Sequence, residues 1–239
     1  MKIALLGHGQ PRFTNSFIVL MQQLKGFDQA DFYLNFWSTS WAPTSDHLKT
    51  ILNPVIVPGF NLKRVEVVEE PTYQLPPHVL NHSSFEKEST HWWYRRRRGM
   101  WLSLKMAYEL IDEDYDIIIK FRPDGRLDRD IDVTTLDMSQ DMLFPSNHRC
   151  GFDNMKICDQ FLFATPNGMK FYADVFNHID EYIPRVAPGW EHNVHTWASE
   201  HLLGYHMLLN KKAQHIGNYQ HLLRVDGVSP NDDHWYIKN

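Results

Sequence analysis

The sequence has few cysteines and no long apolar run, and both shortages narrow the classes of protein it can belong to. The 239 residues contain 2 cysteines, Cys150 and Cys158, too few for a disulfide framework and typical of a reducing compartment. No apolar stretch approaches the roughly 18 residues that a membrane span needs. The apolar residues after Met1 are too few for the core of a signal peptide. The sequence therefore predicts a cytoplasmic protein without a membrane span.

Positively charged residues are also fewer than negatively charged ones. Lys and Arg number 24 against 29 Asp and Glu, so the formal net charge is -5. A general nucleic-acid binder is normally basic, and this balance therefore argues against that class of protein. An aromatic share of 13% supplies core material and surfaces on which sugar rings or bases can stack.

The arginines are concentrated in one place, Arg95–Arg98. Such a run is found in nucleic-acid patches, in ion pairs with nearby carboxylates and in sites that grip a diphosphate. The segment belongs to a predicted helix from about His91 to Asp112. Projection at about 100° per residue puts Arg96 and Arg97 beside the core-facing side of that helix, with Arg95 and Arg98 pointing away. Either a diphosphate near the sheet rim or the carboxylates nearby in the chain suit the pair Arg96 and Arg97.

Glycine is sparse, and the standard glycine-rich nucleotide motifs are missing. Residues 2–6 form a buried-strand pattern that runs into Gly7, Gly9 and Arg12. No third glycine follows at the spacing of the dinucleotide fingerprint, and the segment is not a P-loop. Glycines at these positions nevertheless let a backbone approach a ligand closely. An arginine in the same loop suits a phosphate or a carboxylate.

The order of the predicted elements indicates an α/β protein. The strand at residues 2–6, a helix capped by Thr14 or Asn15 and a second strand at Asp31–Trp37 form a β-α-β unit, which favours a parallel sheet. Residues 43–77 show no clear pattern except a strand at Arg64–Val68, and residues 71–90 are predicted to be a surface loop. No internal repeat is present, so one domain is expected. The later predictions are strands at residues 141–145 and 159–164, a helix capped by Asn167 and a helix from Val194 to Asn210.

One short strand, Ile117–Ile119, ends at a dense run of charged residues that begins with Arg122 and Asp124. Ligands of open α/β sheets bind beyond the carboxyl ends of the strands. A carboxylate there suits a divalent cation or a sugar hydroxyl. The alternative is a polar turn around Pro123, with its charges in solvent.

Two further acidic positions are candidates for chemistry. Asp159 and Gln160 directly precede an apolar strand, which predicts that they lie at a sheet edge or in a cleft. Glu200 lies on a helix that is apolar over most of its circumference, and such a helix is buried. A buried carboxylate must be paired, hydrogen-bonded or functional. Its alternative role is a salt bridge to an arginine or a histidine.

Taken in order, these motifs resemble small GT-A-type glycosyltransferases, particularly the bacterial and viral polysaccharide-type proteins with an Arg-x-Asp motif. The resemblance spans about residues 1–210. It implies an α/β single domain, a three-layer α/β/α sandwich with a mostly parallel central sheet and a Rossmann-like layout. The nucleotide-binding part would be about residues 1–125 and the acceptor-side part about 126–239. The motifs that carry the resemblance are Gly7–Phe13, Trp37-Ser38, Arg95–Met100, Ile117–Asp124, Phe144–Asn147, Asp159–Phe161 and Ser199–His201.

The resemblance also implies roles. The donor would be a nucleotide-diphosphate sugar and the acceptor a glycan or another hydroxyl compound. Arg122-x-Asp124 stands where such enzymes carry an Asp-x-Asp metal motif, with arginine in place of the first aspartate. Asp124 would then be a lone ligand to Mn²⁺ or Mg²⁺, or Arg122 would itself neutralise the phosphates. The nucleotide and its diphosphate would be held by Gly7, Gly9, Arg12, Arg96 and Arg97.

The two acidic candidates correspond to different stereochemical outcomes. Asp159-Gln160 is similar to the Asp-Gln that some retaining members present beside the donor sugar. Glu200 resembles the late acidic residue that serves as acceptor base in inverting members. We expect inversion, with Glu200 or Asp159 as the base that takes the proton of the acceptor hydroxyl. The alternatives are a non-catalytic nucleotide- or glycan-binding protein on the same scaffold and a nucleic-acid-binding protein that uses Arg95–Arg98.

Overall fold

A mixed sheet forms the centre of the molecule. The computed structural model describes residues 1–77, 87–127, 129–139, 141–145, 161–186, 199–209, 216–219 and 223–225. In this part of the chain the sheet has seven strands, in the order β10-β8-β9-β5-β1-β3-β4. Their bounds are β1 (Lys2–Gly9), β3 (Gln29–Trp37), β4 (Phe60–Val68), β5 (Ile117–Phe121), β8 (Met142–Pro145), β9 (Leu162–Ala164) and β10 (Ile216–Tyr219).

The remaining elements are helices on both faces of the sheet and short strand pairs. The helices are α1 (Asn15–Gln23), α2 (Ser45–Leu52), α3 (Lys87–Glu109), α4 (Pro166–Ala173), α5 (Val175–Val186) and α6 (Ser199–Leu209). The turns Asn53–Val55 and Val133–Thr135 are 3₁₀-helical. Strand β2 (Leu24–Lys25) pairs with β7 (Ile131–Asp132), and β6 (Gly125–Leu127) pairs with β11 (Leu223–Val225).

Most strand pairs of the main sheet are parallel. β1 lies between β3 and β5 and is parallel to both, and β3–β4 and β8–β10 are parallel as well. β9 runs antiparallel to both β5 and β8. The predicted mostly parallel sheet is therefore confirmed, and β9 is its antiparallel member.

The alternation of side chains along the strands separates two apolar layers. On β1, Ile3 and Leu5 point to one face, and Ala4 and Leu6 point to the other. α1 and α2 cover the first face, and α3 to α6 cover the second. This is the α/β/α sandwich expected from the sequence. The helix residues that close the first layer include Phe17, Leu20, Leu48 and Leu52, and those of the second include Trp101, Leu104, Met169, Ile179, Leu202 and Met207.

Several predicted boundaries need correction. Thr14 caps α1 by accepting a hydrogen bond from the Ser16 amide at 3.1 Å, as predicted. The N-cap of α4 is Thr165 instead of the predicted Asn167. The Thr165 hydroxyl accepts a hydrogen bond from the Gly168 amide at 3.0 Å. Helix α2 was not predicted. Its cap is Thr44, which accepts from the His47 amide at 3.2 Å, and the flanking prolines obscured its apolar spacing.

The main sheet takes strands from both parts of the predicted domain. β1, β3, β4 and β5 lie within residues 1–125, whereas β8, β9 and β10 lie within residues 126–239. The division into a nucleotide-binding part and an acceptor-side part stays a prediction. Among the described helices, none is both long and apolar enough to cross a membrane.

A buried histidine joins the helices of the second layer. His206 on α6 is 1% exposed, and its Nε2 lies 3.2 Å from the carbonyl oxygen of Phe171. A carbonyl can only accept, so Nε2–H donates to it. Nδ1 then accepts from the Tyr182 hydroxyl at 2.6 Å. Burial, together with the charge of the neighbouring His178, lowers the pKa of His206 to about 4, so the ring is neutral near pH 7.

The lowered pKa of His206 predicts a loss of folding stability in weak acid. The unfolded state binds the proton near pH 6.5, whereas the folded state binds it only near pH 4. The unfolded state therefore carries more protons between these values, and the free energy of unfolding rises with pH across that window. At about 1.4 kcal/mol per pKa unit, His206 contributes about 3 kcal/mol above pH 6.5, which is lost towards pH 4.

Urea denaturation between pH 4 and pH 7.5 measures this contribution. His206→Gln is expected to flatten the pH dependence of the free energy of unfolding. His47→Gln, which changes an exposed histidine on α2, is the control and should leave the slope unchanged. An equal slope in wild type and His206→Gln would contradict the prediction.

Candidate functional site

A cleft of about 750 Å³ opens at the carboxyl ends of β1, β3 and β5. The loops after β1, β4 and β5 form its floor and one side, and the first half of α3 forms a wall. It lies where ligands bind in open α/β sheets. The residues that line it are His8, Gly9, Gln10, Arg12, Trp37, Glu70, Pro71, Thr72, Tyr73, Trp92, Arg95, Arg96, Arg97, Met100, Lys120, Arg122, Pro123 and Asp124.

The wall formed by α3 carries one aromatic ring and three arginines. Trp92 and Arg96 are one helical turn apart and therefore lie on the same side of the helix. The Arg96 guanidinium lies 4.9 Å from the centre of the Trp92 ring, within cation–π range. Trp92 is 50% exposed. Arg95 is exposed, which agrees with its predicted position away from the core-facing side, and it lines the cleft together with Arg96 and Arg97.

Arg98, the last arginine of the run, contacts α5 instead of lining the cleft. Its Nη1 lies 2.5 Å from Asp180 on α5 and 3.0 Å from the Tyr94 hydroxyl. The Tyr94 hydroxyl donates to the same carboxylate at 2.5 Å. Arg98 therefore ties α3 to α5, and the four arginines do not form one continuous basic surface.

The loop after β1 is shaped by glycine and anchored by apolar residues. Gly9 has φ +90°, a conformation that residues with a β-carbon rarely adopt. Pro11 and Phe13 are buried on either side of Arg12, which lines the cleft. Gly7 has a different explanation, because a β-carbon there would lie 2.8 Å from Leu34 and 3.0 Å from Phe121. Gly7 is thus required by packing between neighbouring strands and does not line the cleft.

His8 contributes an acceptor to the floor of the cleft. The Ser103 hydroxyl donates to the carbonyl oxygen of Met100 at 2.9 Å. His8 Nδ1, 3.0 Å from the Ser103 oxygen, must therefore be the protonated nitrogen, and Nε2 is left as the acceptor. Burial lowers the pKa of His8 well below its ordinary value, and the charges of Lys120 and Arg122 lower it further. The ring is neutral near pH 7.

Arg122 and Asp124 form a two-pronged ion pair at the end of β5. Arg122 Nε lies 2.8 Å from one carboxylate oxygen of Asp124, and Nη2 lies 2.7 Å from the other. Asp124 is 3% exposed. This geometry uses both oxygens of the carboxylate and neutralises its charge.

A divalent cation fits these residues poorly. Both oxygens of Asp124 already accept from a guanidinium, and Lys120 also lines this end of the cleft. Hard cations such as Mg²⁺ and Mn²⁺ need several free oxygen ligands. Within the part of the chain that the structure describes, no three His, Cys, Asp or Glu side chains are grouped so as to hold a metal ion. The metal role of Asp124 stays a prediction from the sequence.

The cleft is strongly positive although the whole chain is acidic. Among the described residues, the carboxylates in the lining are Asp124, which Arg122 neutralises, and Glu70. Burial lowers the pKa of Arg96, and repulsion from Arg12, Arg97 and Arg122 lowers it further. Like charges held this close favour the binding of an anion, which relieves their repulsion. The cations that line the cleft are Arg12, Arg95, Arg96, Arg97, Lys120 and Arg122.

The structure brings most of the sequence-predicted site residues together. Asp159 and Gln160 lie outside the described residues. Glu200 lies on α6, and its side chain is not among those described. The predicted residues that share the cleft are Gly9, Arg12, Arg96, Arg97, Arg122 and Asp124.

Sequence reasoning did not single out His8, Lys120 and Glu70, which also line the cleft. Lys120 was hidden inside an apolar strand pattern, where a single charge near the strand end was the available signal. Glu70 lies two positions beyond the end of β4, so the rule that sites lie beyond strand ends points to this segment. The strand at Arg64–Val68 was predicted, but the residues just after it were not considered as part of a site.

Comparisons with known proteins find similarity at a low level. The chain matches no protein-family model and no curated protein. Among solved structures, it is similar to apo mouse xyloside xylosyltransferase 1, with 9% identity and a TM-score of 0.45, over 92% of this chain and 85% of that one. It is also similar to the glycosyltransferase GlyE of Streptococcus pneumoniae TIGR4, with 10% identity and a TM-score of 0.47, over 91% of this chain and 44% of that one. At these values neither structure assigns a role to any residue here.

The Arg122–Asp124 pair predicts a structural role that is separable from ligand binding. Asp124→Ala removes a buried carboxylate that accepts two charged hydrogen bonds. We expect the free energy of unfolding to fall by about 1–3 kcal/mol, as measured by urea denaturation without ligand. Asp130→Ala, at an exposed position nearby, is the control and should change stability by less than about 0.5 kcal/mol. Equal stabilities for the two variants would show that the pair contributes nothing to the fold.

Proposed function

We propose that this protein is a glycosyltransferase that moves a sugar from a nucleotide-diphosphate sugar to a hydroxyl group of a glycan or another acceptor. The observation that carries the proposal is the cation-lined cleft at the carboxyl ends of β1, β3 and β5. Its volume of about 750 Å³ is in the range of small-molecule and cofactor sites. A donor of this class is an anion with a polar sugar and an aromatic base, and the cleft offers cations, hydrogen-bonding groups and aromatic rings.

The cations provide the chemistry that the reaction needs. Transfer develops positive charge on the anomeric carbon and negative charge on the departing diphosphate. Fixed positive groups that face the diphosphate stabilise this charge as the bond breaks. Arg12, Arg96 and Arg97 are the candidates to grip the diphosphate, and Lys120, near the end of β5, also lines the cleft. We propose that these side chains take the place of a metal ion.

Arg122 has a different part in this proposal. Its guanidinium is already committed to Asp124, and the charges of this pair balance. The alternative in which Arg122 itself neutralises the phosphates, which the resemblance implies, stays a prediction. Manganese or magnesium dependence, implied by the resemblance, stays an open prediction.

A non-catalytic nucleotide- or glycan-binding protein is the second candidate. The observation that favours it is the neutralised Asp124, since a carboxylate bound on both oxygens is a poor ligand or base. Donor affinity without turnover would identify this class. Binding of nucleic acid is less well supported, because Arg98 leaves the arginine run to pair with Asp180.

The proposal predicts that a nucleotide-sugar donor stabilises the folded chain without added metal. We suggest a thermal-shift screen in EDTA with UDP-glucose, UDP-galactose, GDP-mannose and dTDP-glucose. A ligand that binds the folded state raises the unfolding midpoint by mass action. Arg96→Ala should weaken the affinity for the best donor about tenfold, or about 1.4 kcal/mol.

Lys49→Ala is the matched control for that variant. It removes one positive charge from a side chain on α2 that is 45% exposed and 3.8 Å from Asp46. We expect it to leave donor affinity unchanged. If no donor raises the midpoint at millimolar concentration, the proposed function is wrong. Equal losses in both variants would mean that net charge, and not the cleft, determines binding.

A further inference from the structure

Glu70 stands apart from the other charged groups of the cleft. It follows the carboxyl end of β4 by two positions and lines the cleft. Its carboxylate packs against α3 at Gly99, where an added β-carbon would collide with Oε1. The absence of a side chain at Gly99 is therefore what lets the carboxylate reach this position. Among the described residues, Glu70 makes neither a hydrogen bond nor an ion pair.

A tyrosine hydroxyl lies beside this carboxylate. Tyr73 is 9% exposed, and its hydroxyl has no hydrogen-bond partner among the described residues. That hydroxyl would be 3.3 Å from a β-carbon built at Gly99, which places it against the same turn of α3 as the carboxylate of Glu70. Leaving a buried hydroxyl without a partner costs free energy. The Glu70 carboxylate, an exposed acceptor, and the buried Tyr73 hydroxyl, a donor without a partner, both line the cleft and can together bind one hydroxyl group of a ligand.

We propose that Glu70 is the catalytic base that takes the proton of the acceptor hydroxyl, with Tyr73 as the residue that positions that hydroxyl. This inference rests on the proposed function, because it requires a nucleotide-diphosphate sugar as donor. It differs from the expectation that Glu200 or Asp159 is the base. Asp124, the other carboxylate of the cleft lining, is unsuitable because Arg122 occupies both its oxygens.

The proton and electron balance of the step is simple. The acceptor O–H bond breaks and its proton goes to a carboxylate oxygen of Glu70. The acceptor oxygen forms a bond to the anomeric carbon with the electron pair that is freed. The bond from the anomeric carbon to the diphosphate breaks, and its electron pair leaves on the diphosphate oxygen, beside the cations of the cleft. No further reactant is needed.

The environment of Glu70 makes its carboxylate more basic. Burial raises the pKa of the Glu70 carboxyl above its ordinary value. A carboxylate with a raised pKa is a stronger base than one in water, and general-base catalysis is most effective when this value approaches the working pH. Burial raises the pKa of Tyr73, and the negative charge of Glu70 raises it further, which keeps the phenol protonated as a donor.

Glu70→Gln is the direct test, with Glu69→Gln as its control. Glu69 is adjacent, exposed and absent from the cleft lining. The assay measures release of the nucleoside diphosphate from the donor with the largest thermal shift in the panel above, with water as acceptor. We expect Glu70→Gln to lower kcat by about 10²–10⁴-fold, the usual size of a general-base contribution. The concentration of donor that gives half-maximal stabilisation should not change, and Glu69→Gln should match wild type.

The pH profile separates a base from a structural residue. A base must be deprotonated, so wild-type kcat/KM should rise with pH through the raised pKa of Glu70 and then level off. Glu70→Gln should lack this acid limb. A variant that lowers kcat but keeps the limb would overturn the assignment.

Gly99→Ala provides an independent test. The new β-carbon occupies the position of the Glu70 carboxylate, so the carboxylate must move. Alanine is favoured over glycine inside a helix by about 1 kcal/mol, and the flexible Glu70 side chain can shift at little cost. We therefore expect unchanged or higher thermal stability together with at least a tenfold lower kcat. Unchanged kcat would contradict the proposed position of the base.

The outcomes distinguish this inference from the function on which it rests. If no donor stabilises the wild-type chain, the proposed function fails. If donors bind but wild type releases no nucleoside diphosphate, the non-catalytic alternative is correct and Glu70 is not a base. If wild type is active and Glu70→Gln is equally active, only the assignment of Glu70 is overturned.

Discussion

Parallel pairing of β1 with both β3 and β5 is the constraint on which the cleft depends. Gly7 lies opposite Leu34 on one side and opposite Phe121 on the other. Because the strands are parallel and in register, their carboxyl ends meet at the same edge of the sheet. Segments distant in the chain, which begin at Gly9, Trp37 and Arg122, are thereby brought to one rim. A β-carbon at position 7 would crowd the side chains of Leu34 and Phe121, which would have to shift.

The lining of the cleft is rich in positive charge, whereas the chain as a whole is negatively charged. The chain has a net charge of -5, yet cations outnumber carboxylates in the cleft lining, and one of the carboxylates is neutralised by Arg122. Repulsion among Arg12, Arg96 and Arg97 destabilises the empty cleft relative to an anion-bound one. The apolar layers on both faces of the sheet contribute the stability that tolerates this local cost. The charges that line the cleft therefore favour the binding of an anion.

Much of this site could be predicted from the sequence because it follows from strand ends. The isoleucines of β5 identify a buried strand, and the charged residues after it must emerge at the rim. The same reasoning located Gly9 and Arg12 after β1. Arg96 and Arg97 followed from helical periodicity. The same periodicity placed Arg95 away from the core and did not predict that it lines the cleft.

The remaining features depend on contacts between distant parts of the chain. Nothing local distinguishes Glu70 from Glu69, and the difference arises from the meeting of Glu70 with Gly99 on α3. The commitment of Asp124 to Arg122 is likewise a question of side-chain geometry, because the sequence was equally compatible with a metal ligand. Gly7 was predicted to hold the nucleotide. In the structure it packs against the side chains of Leu34 and Phe121. In each case the tertiary contact decides the role.

The most direct test of the central claim is a calorimetric titration of the wild-type chain with UDP, GDP and dTDP, first in EDTA and then with Mn²⁺. The account predicts saturable binding of at least one nucleoside diphosphate in EDTA, with the same affinity when Mn²⁺ is present. Binding that appears only with Mn²⁺ would contradict a cleft that holds the diphosphate by its arginines. An absence of binding in both conditions would contradict the nucleotide-sugar function itself.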